Sequence, residues 1–287
     1  MLCQHNCDIG HVLQTARTSP EKDINMPLPI ILAHGITPFD KIIVPFFNRD
    51  NNDYDRFHYF KKIRSTLKKH AFEVFHTRVS WAGEVRRRAR ELKDQITVIT
   101  AGFTRWPKVH IIAHSMGGLD SRWMIYHYRM EGRVASLTTI GTPHMGSSYA
   151  DHGVKSAKWL IDGLGWAGFN IRGFRDLTRK ACEEFNKKTL DFEETNGVVY
   201  QTIAGVQTID RIFFPLKRPA KIILEQEGEN DGLVSLRSAM WKEEYFIRKI
   251  EADHLNEIGW WSKGQARPQF EEWIQGVYLD IARGLRD

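Results

Sequence analysis

The sequence predicts an α/β protein in which a mostly parallel sheet is covered by helices on both faces. Two observations favour this class. Short apolar runs of strand length alternate with longer segments of helical period, and several of these runs end in a loop that contains glycine. The runs lack polar alternation, as expected for parallel strands that are buried on both faces. The 287 residues, of which 42% are hydrophobic, are sufficient for a full core. We therefore expect one domain over residues 26–287, preceded by a flexible extension over residues 1–25.

The predicted elements follow one another in the order that such a sheet requires. In chain order, the predicted strands are 29–33, 72–79, 109–113, 134–140, 198–204 and 245–250. A helix is predicted for 84–102 because apolar residues recur there at helical spacing, and another begins just after Ser115. The last helix begins at Pro268, a residue favoured in the first turn. Its apolar stripe predicts that it packs on the core.

The net charge of +6 is concentrated in two basic runs, 61–69 and 86–90. Nucleic-acid binding is one interpretation of such runs, and weak attraction to an anionic lipid surface is another. Both runs lie inside amphipathic helical patterns, so we interpret them as solvated helix faces and expect no nucleic-acid partner.

The N-terminus and the cysteines indicate where the protein acts. No apolar run follows a basic start and no stretch is long enough to span a membrane, which predicts an intracellular, cytoplasmic protein. The three cysteines, at positions 3, 7 and 182, are too sparse for a disulfide framework and fit a reducing compartment. The spacing of Cys3, His5, Cys7 and His11 matches no standard zinc pattern.

The run from Ile111 to Gly118 carries the strongest chemical signal. An apolar strand leads into Ser115, and a helical pattern follows it directly. A serine hydroxyl becomes a nucleophile when a base removes its proton and a sharp strand-to-helix turn exposes it. Such a turn needs small residues two positions before and after the serine, and here these are Ala113 and Gly117. We predict that Ser115 is a nucleophile rather than a helix N-cap.

His34 and Gly35 directly follow the first predicted strand. In folds with this serine turn, the loop after that strand supplies one backbone N–H to the oxyanion hole. The residue after the nucleophile supplies the other. The sequence therefore predicts an oxyanion hole formed by the amides of Ile36 and Met116. The alternative for Gly35 is an ordinary strand-to-loop glycine.

A candidate acid and a candidate base follow the serine in the expected order. His254 comes after the last predicted strand, and histidine can accept and return a proton near neutral pH. Asp231 lies in a turn-rich loop and is the predicted acid that orients the imidazole. Asp253 and Glu251 are alternatives, although Asp253 would point away from its sequence neighbour in an extended stretch. Three other histidines are interpreted as structural hydrogen-bonding residues: His110, His114 and His144.

These residues form part of a longer series of motifs that extends over about residues 28–285. The motifs are Ala33-His34-Gly35 with Phe39-Asp40, AHSMGGLDSR at 113–122, Thr139–His144 with Gly146-Ser147, Leu177-Thr178 with Phe185-Asn186, Asn230–Val234 and Asp253–Leu255. The series resembles the bacterial triacylglycerol lipase family and its fungal relatives. The resemblance implies an α/β-hydrolase fold and lipase or carboxylesterase activity, with Ser115, Asp231 and His254 as the catalytic triad.

Many bacterial members of that family also hold a structural calcium ion through two aspartates. The counterpart of the second aspartate, two residues after the histidine, is Asn256, and Asp210 is a plausible counterpart of the first. An amide offers calcium a neutral oxygen, so this site would lose one charge. We therefore expect no cofactor, with calcium at Asp210 and Asn256 as the alternative.

Residues 147–180 lie where such lipases insert a lid. Four glycines interrupt an apolar series there, which favours a mobile flap over a helix packed on the core. The candidate substrate-binding residues of this lid are Trp159, Leu160, Leu164, Trp166 and Phe169.

The expected function is hydrolysis of fatty-acyl esters, with a lipid or small ester as substrate and transient contact with a lipid interface. One alternative is another acyl-transfer enzyme: a phospholipase, a thioesterase or a transacylase. A different alternative is a non-catalytic lipid-binding protein that keeps the fold.

Overall fold

The computed structural model describes residues 27–36, 55, 58–81, 83–154, 171–260 and 267–285. Within these ranges, six strands form one sheet in the order β2-β1-β3-β4-β5-β6, and every neighbouring pair is parallel. The strands are β1 (Ile30–Ala33), β2 (Val74–His76), β3 (Val109–His114), β4 (Val134–Ile140), β5 (Val199–Gly205) and β6 (Phe246–Ile250). The predicted α/β class with a parallel sheet is confirmed.

The helices connect these strands and cover the sheet. They are α1 (Ile63–Lys69), α2 (Val85–Ile99), α3 (Met116–His127), α4 (Ile171–Arg175), α5 (Arg179–Thr195), α6 (Lys217–Glu227), α7 (Leu236–Met240) and α8 (Arg267–Gly284). Residues 148–154 are also helical, and 3₁₀ turns occur at Phe214–Leu216, Glu243–Tyr245 and Asn256–Ile258. In the described part of the chain, no helix is both long and apolar enough to cross a bilayer.

Two apolar cores lie on the two faces of the sheet, and β1 contributes alternate residues to each. Ile30 and Leu32 enter the core that is closed by α1 and α8. Ile31 and Ala33 enter the core that is closed by α2 and α3. Since successive side chains of a strand point to opposite faces, an uninterrupted apolar run fills both cores.

The main differences from the predicted boundaries have local causes. The helix predicted for 84–102 ends at Ile99. Ala101, Gly102 and Phe103 have positive φ angles of 51°, 69° and 65°, which a right-handed helix cannot accommodate. The second strand is shorter than predicted because only three residues, Val74–His76, pair with β1.

The interpretation of both basic runs as solvated helix faces is wrong for part of each run. Lys61 and Arg64 are 7% and 8% exposed, and Arg88 is completely buried. Arg88 forms an ion pair with Asp120, because α2 packs directly on α3 at this position. The other arginines of the run 86–90 are exposed, as predicted.

Some predictions fall outside the described ranges. They include the extension over residues 1–25 and the five candidate lid residues Trp159, Leu160, Leu164, Trp166 and Phe169. The lid over residues 147–180 and the domain bounds at 26–287 therefore stay predictions.

Candidate active site

The candidate residues meet at the edge of the sheet where the parallel strands end. Gly35 follows β1, Ser115 follows β3, and His254 lies on the loop after β6. Asp231 lies in the loop between α6 and α7, where Asn230 and Ser235 form an antiparallel bridge. Crevices outside the carboxyl ends of the strands are the usual ligand sites of open parallel sheets.

Ser115 occupies a sharp turn between β3 and α3. Its φ of 55° and ψ of −132° lie in a region that L-residues rarely adopt, at a cost on the order of 1–3 kcal/mol. The surroundings hold this turn, because Ser115 N–H donates to Ile140 O at 3.0 Å. Thr142 Oγ1 in turn donates to Ser115 O at 2.7 Å. The backbone strain therefore presents the hydroxyl in a fixed direction.

Two glycines allow the chain to pack closely around this serine. A Cβ atom on Gly117 would lie 2.5 Å from Ala33 O, and one on Gly35 would lie 2.6 Å from Ser115 Cβ. Neither position can accept a larger side chain without a backbone shift. The small residue predicted after Ser115 is thus required by β1, which approaches α3 at this point.

The side chains of Ser115, His254 and Asp231 form a continuous hydrogen-bonded series. His254 Nε2 lies 2.9 Å from Ser115 Oγ, and His254 Nδ1 lies 2.7 Å from Asp231 Oδ2. The other oxygen of Asp231 accepts the N–H groups of Leu233 and Val234 at 2.8 and 2.7 Å. Because Asp231 O also accepts the N–H of His254 at 2.8 Å, acid and base are fixed to each other through backbone and side chain.

The two alternative acids have other contacts. Glu251 lies on the surface, 3.8 Å from Arg211. Asp253 is fully buried, and its carboxylate accepts the N–H groups of Phe213, Leu255 and Asn256. Burial raises the pKa of Asp253, although these three N–H groups oppose the shift. Asp253 therefore anchors the loops around His254.

The two residues that carry the predicted oxyanion amides belong to one apolar cluster. Ile36 packs against the apolar cluster that contains Met116, Val85 and Leu119. Among the described residues, we find no acceptor for the N–H groups of Ile36 or Met116. N–H groups without an acceptor in the described part of the chain, on the loop before the serine and on the residue after it, are suitable donors to a developing oxyanion.

A buried arginine fixes the loop that carries Ile36. Arg88 donates from Nε to Asp120 Oδ2 at 2.8 Å, from Nη1 to Ser80 O at 2.6 Å and from Nη2 to His34 O at 2.7 Å. Burial raises the pKa of Asp120 to about 6, although Arg88 opposes this shift. We call Arg88, Asp120 and the carbonyls of His34 and Ser80 the loop network.

A second buried group beside His254 was not predicted from the sequence. Glu257 Oε2 lies 2.9 Å from His114 Nε2 and 3.5 Å from His254 Nδ1. His114 Nδ1 lies 2.6 Å from the hydroxyl of Tyr59, which accepts the N–H of Gly35 at 3.1 Å. A hydrogen-bonded series thus runs from Glu257, which is in contact with the candidate base, to the oxyanion loop.

Burial and neighbouring groups shift the pKa values of Glu257 and His114. Burial raises the pKa of Glu257 well above its usual value, and Asp231 and Asp253 raise it further. Burial lowers the pKa of His114 well below its usual value, and His254 lowers it further. Both shifts favour the uncharged form of the group concerned. We call Asp231, His254, Glu257 and His114 the base network.

The residues proposed for calcium do not fit that ion. Asn256 is completely buried. Its side-chain oxygen accepts the N–H of Asp253 at 3.2 Å, and its amide nitrogen donates to Trp260 O at 2.9 Å. The carboxylate of Asp210 is solvent-exposed and bonds to Thr208 in its own loop. Calcium needs six to eight converging oxygens, and this pair supplies no buried charged oxygen.

Comparisons with known proteins show similarity to lipases. Residues 55–157 match the model of a PGAP1-like alpha/beta domain. The chain is 28% identical to triacylglycerol lipase 2 of Saccharomyces cerevisiae over 275 residues, covering 83% of this chain and 82% of the yeast protein. It is 32% identical to a triacylglycerol lipase of Vibrio cholerae over 267 residues, covering 80% and 79% of the two chains.

Longer relatives and solved structures extend these findings. The chain spans 51% of a lipase from Staphylococcus epidermidis, to which it is 24% identical. The crystal structure of the mature lipase BlEst2 from Bacillus licheniformis superposes with a TM-score of 0.64 at 20% identity, covering 88% of this chain and 91% of that one. At that identity, the superposition establishes the α/β-hydrolase fold alone.

Proposed function

This chain belongs to the triacylglycerol lipase family and is a carboxylic ester hydrolase, and from this premise we propose that it hydrolyses fatty-acyl esters through an acyl-enzyme on Ser115. The observation that carries the proposal is the series Ser115 Oγ, His254 Nε2, His254 Nδ1 and Asp231 Oδ2, with contacts of 2.9 and 2.7 Å. Its distances are those of a nucleophile, a general base and an orienting acid.

The proposed reaction begins when Ser115 Oγ attacks the ester carbonyl while His254 Nε2 takes the hydroxyl proton. The N–H groups of Ile36 and Met116 donate to the oxyanion, and Asp231 stabilises the imidazolium. His254 then protonates the leaving alcohol, which departs and leaves the acyl group on Ser115. A water molecule, deprotonated by His254, attacks the acyl-enzyme; the bond between the acyl carbon and Ser115 Oγ breaks, the fatty acid is released, and His254 returns the proton to Ser115 Oγ.

Replacement of the nucleophile tests this mechanism. We expect Ser115→Ala to lower kcat for a soluble p-nitrophenyl ester by roughly 10⁴- to 10⁶-fold, because the remaining groups cannot form the acyl-enzyme. The melting temperature should not fall, since alanine also fits the turn. Turnover close to that of the wild type would exclude Ser115 as the nucleophile.

A substrate panel separates this proposal from the other acyl-transfer reactions. The panel contains p-nitrophenyl esters of increasing chain length, a triacylglycerol emulsion, a phospholipid and an acyl thioester. We expect the long-chain esters and the triacylglycerol to give the highest kcat/KM. A strong preference for short soluble esters would contradict lipase activity but not ester hydrolysis. A preference for the phospholipid or the thioester would assign the acyl donor to that class.

A further inference from the structure

A short exposed segment next to the candidate active site combines an aromatic side chain with several cations. Phe214 lies in the 3₁₀ turn before α6 and is 83% exposed. Arg211, Arg218 and Lys221, in the same segment, are also exposed. We call these four residues the basic–aromatic surface. Residues 211–224 contain four cations, including Lys217, and no acidic residue.

Buried contacts fix the position of this surface relative to the candidate triad. Asp253, the sequence neighbour of His254, accepts the N–H of Phe213 at 2.9 Å. A Cβ atom on Gly232 would lie 3.1 Å from Leu216 Cβ, so Leu216 packs against the residue that follows Asp231. Phe214 therefore projects from a turn that is attached to both the acid loop and the base loop.

From this placement we infer that the basic–aromatic surface binds an anionic phospholipid membrane and holds the candidate active site against it. An aromatic ring can enter the boundary between headgroups and acyl chains, while lysine and arginine next to it bind anionic headgroups. A protein partner would instead require a continuous apolar patch with a packed centre. Here the exposed ring and Leu224, which is 49% exposed, belong to a segment whose charged residues are all cations, which favours the lipid surface.

Neighbouring acidic groups do not cancel the positive charge of the basic–aromatic surface. Asp210 and Glu225 flank the segment, and Glu251 lies 3.8 Å from Arg211. That pair is exposed, so it contributes little and leaves Arg211 available to a headgroup. Arg218 and Lys221 are one helical turn apart on α6, and both face solvent.

Vesicle binding tests the inference separately from catalysis. Co-sedimentation is measured in a Ser115→Ala background, with vesicles of phosphatidylcholine alone and with vesicles that also contain phosphatidylglycerol. We expect binding to the anionic vesicles only, with weakening as salt increases. Because this assay needs no turnover, it can succeed or fail whether or not Ser115 is the nucleophile.

Substitutions that remove the cations or the aromatic ring of the basic–aromatic surface should weaken vesicle binding. The double variant Arg218→Glu/Lys221→Glu should lose at least about 20-fold in vesicle affinity, because each cation near an anionic surface accounts for about fivefold. Phe214→Ala should lose about tenfold, the value of burying one aromatic side chain. In the wild-type background, each variant should hydrolyse a soluble short-chain ester at the unchanged rate.

Matched controls lie at the opposite edge of the sheet. Lys68→Glu/Lys69→Glu makes the same charge change at the end of α1, and Val98→Ala removes a side chain that is 79% exposed near the end of α2. We expect both controls to bind like the parent protein. Equal loss in the controls, equal binding to neutral vesicles, or no binding to either vesicle would overturn the inference. A change of oligomeric state in Phe214→Ala would assign the surface to a second copy of the chain and would also overturn it.

Discussion

Two buried networks of ionisable side chains lie beside Ser115, and they differ in the types of ionisable group that they contain. The base network consists of two carboxyl groups and two imidazoles, with no arginine or lysine. Burial and Asp231 raise the pKa of Glu257, and burial lowers the pKa of His114, so that both shifts favour uncharged groups. The loop network is instead centred on Arg88, whose guanidinium donates to Asp120 and to two backbone carbonyls.

This difference indicates that the two networks have different roles at Ser115. Histidine can accept and return a proton near neutral pH, so the base network is suited to orient His254 while that imidazole exchanges a proton with Ser115. Arginine stays charged throughout that range and presents a rigid set of donors. The loop network is therefore suited to hold the oxyanion loop in place, without proton transfer.

The largest expected effect separates the two carboxyl groups of the base network. Asp231→Asn should lower kcat for a soluble ester by about 10⁴-fold, because an amide favours the wrong imidazole tautomer. Glu257→Gln should lower kcat by less than about tenfold, since burial raises the pKa of Glu257 and an amide resembles the protonated carboxyl that this shift favours. Steady-state kinetics at neutral pH measures both variants. A decrease in kcat for Glu257→Gln as large as that for Asp231→Asn would mean that Glu257 is charged, and it would contradict the roles that we assign to the two networks.

The next effect concerns the stability contributed by the loop network. Arg88→Met should lower the free energy of unfolding by about 3–5 kcal/mol, because it leaves Asp120 buried without its partner. The adjacent Arg87→Met is the matched control. Arg87 pairs with Glu91 at the surface, so its loss should cost less than about 1 kcal/mol.

Urea unfolding of both arginine variants measures the two values. Arg88→Met combined with Asp120→Leu should recover most of the loss, because an apolar pair often replaces a buried ion pair without penalty. If Arg88→Met were no less stable than Arg87→Met, the loop network would not have the structural role described above.

The smallest expected effect concerns the connection between the base network and the oxyanion loop. Tyr59→Phe removes the hydroxyl that links Gly35 N–H to His114 Nδ1. The unpaired N–H should loosen the loop and lower kcat by roughly tenfold, with KM unchanged. Tyr126→Phe is the control, because that ring packs against Phe192 on the outer side of α3. A change in KM alone would show that Tyr59 contacts the substrate and does not position the loop.

The sequence predicted the sheet and the approximate position of the site because both leave local patterns. An apolar strand, a small residue on each side and a helical pattern identify Ser115 without any distant contact. His254 and Asp231 were found from their order along the chain and from their loops, which the structure brings to one edge of the sheet. The lid stays a prediction, since residues 155–170 lie outside the described ranges.

The remaining contacts depend on residues that are far apart in the sequence. Glu257 meets His114 across 143 positions, and Tyr59 meets His114 across 55. No local pattern specifies either pair. Arg88 left a usable signal, because it is three residues after Val85 and four before Leu92, on the apolar face of α2. An arginine on an apolar helix face predicts a buried partner, which here is Asp120.

The most direct test of the central claim is to label the intact protein with a fluorophosphonate and locate the adduct by mass spectrometry. A fluorophosphonate phosphonylates a serine, with loss of fluoride, only when a base activates the hydroxyl. We expect one adduct, on Ser115, with much slower labelling in His254→Ala and none in Ser115→Ala. An unlabelled wild-type protein, or an adduct on another serine, would contradict the account and would favour a lipid-binding protein that keeps the fold without the chemistry.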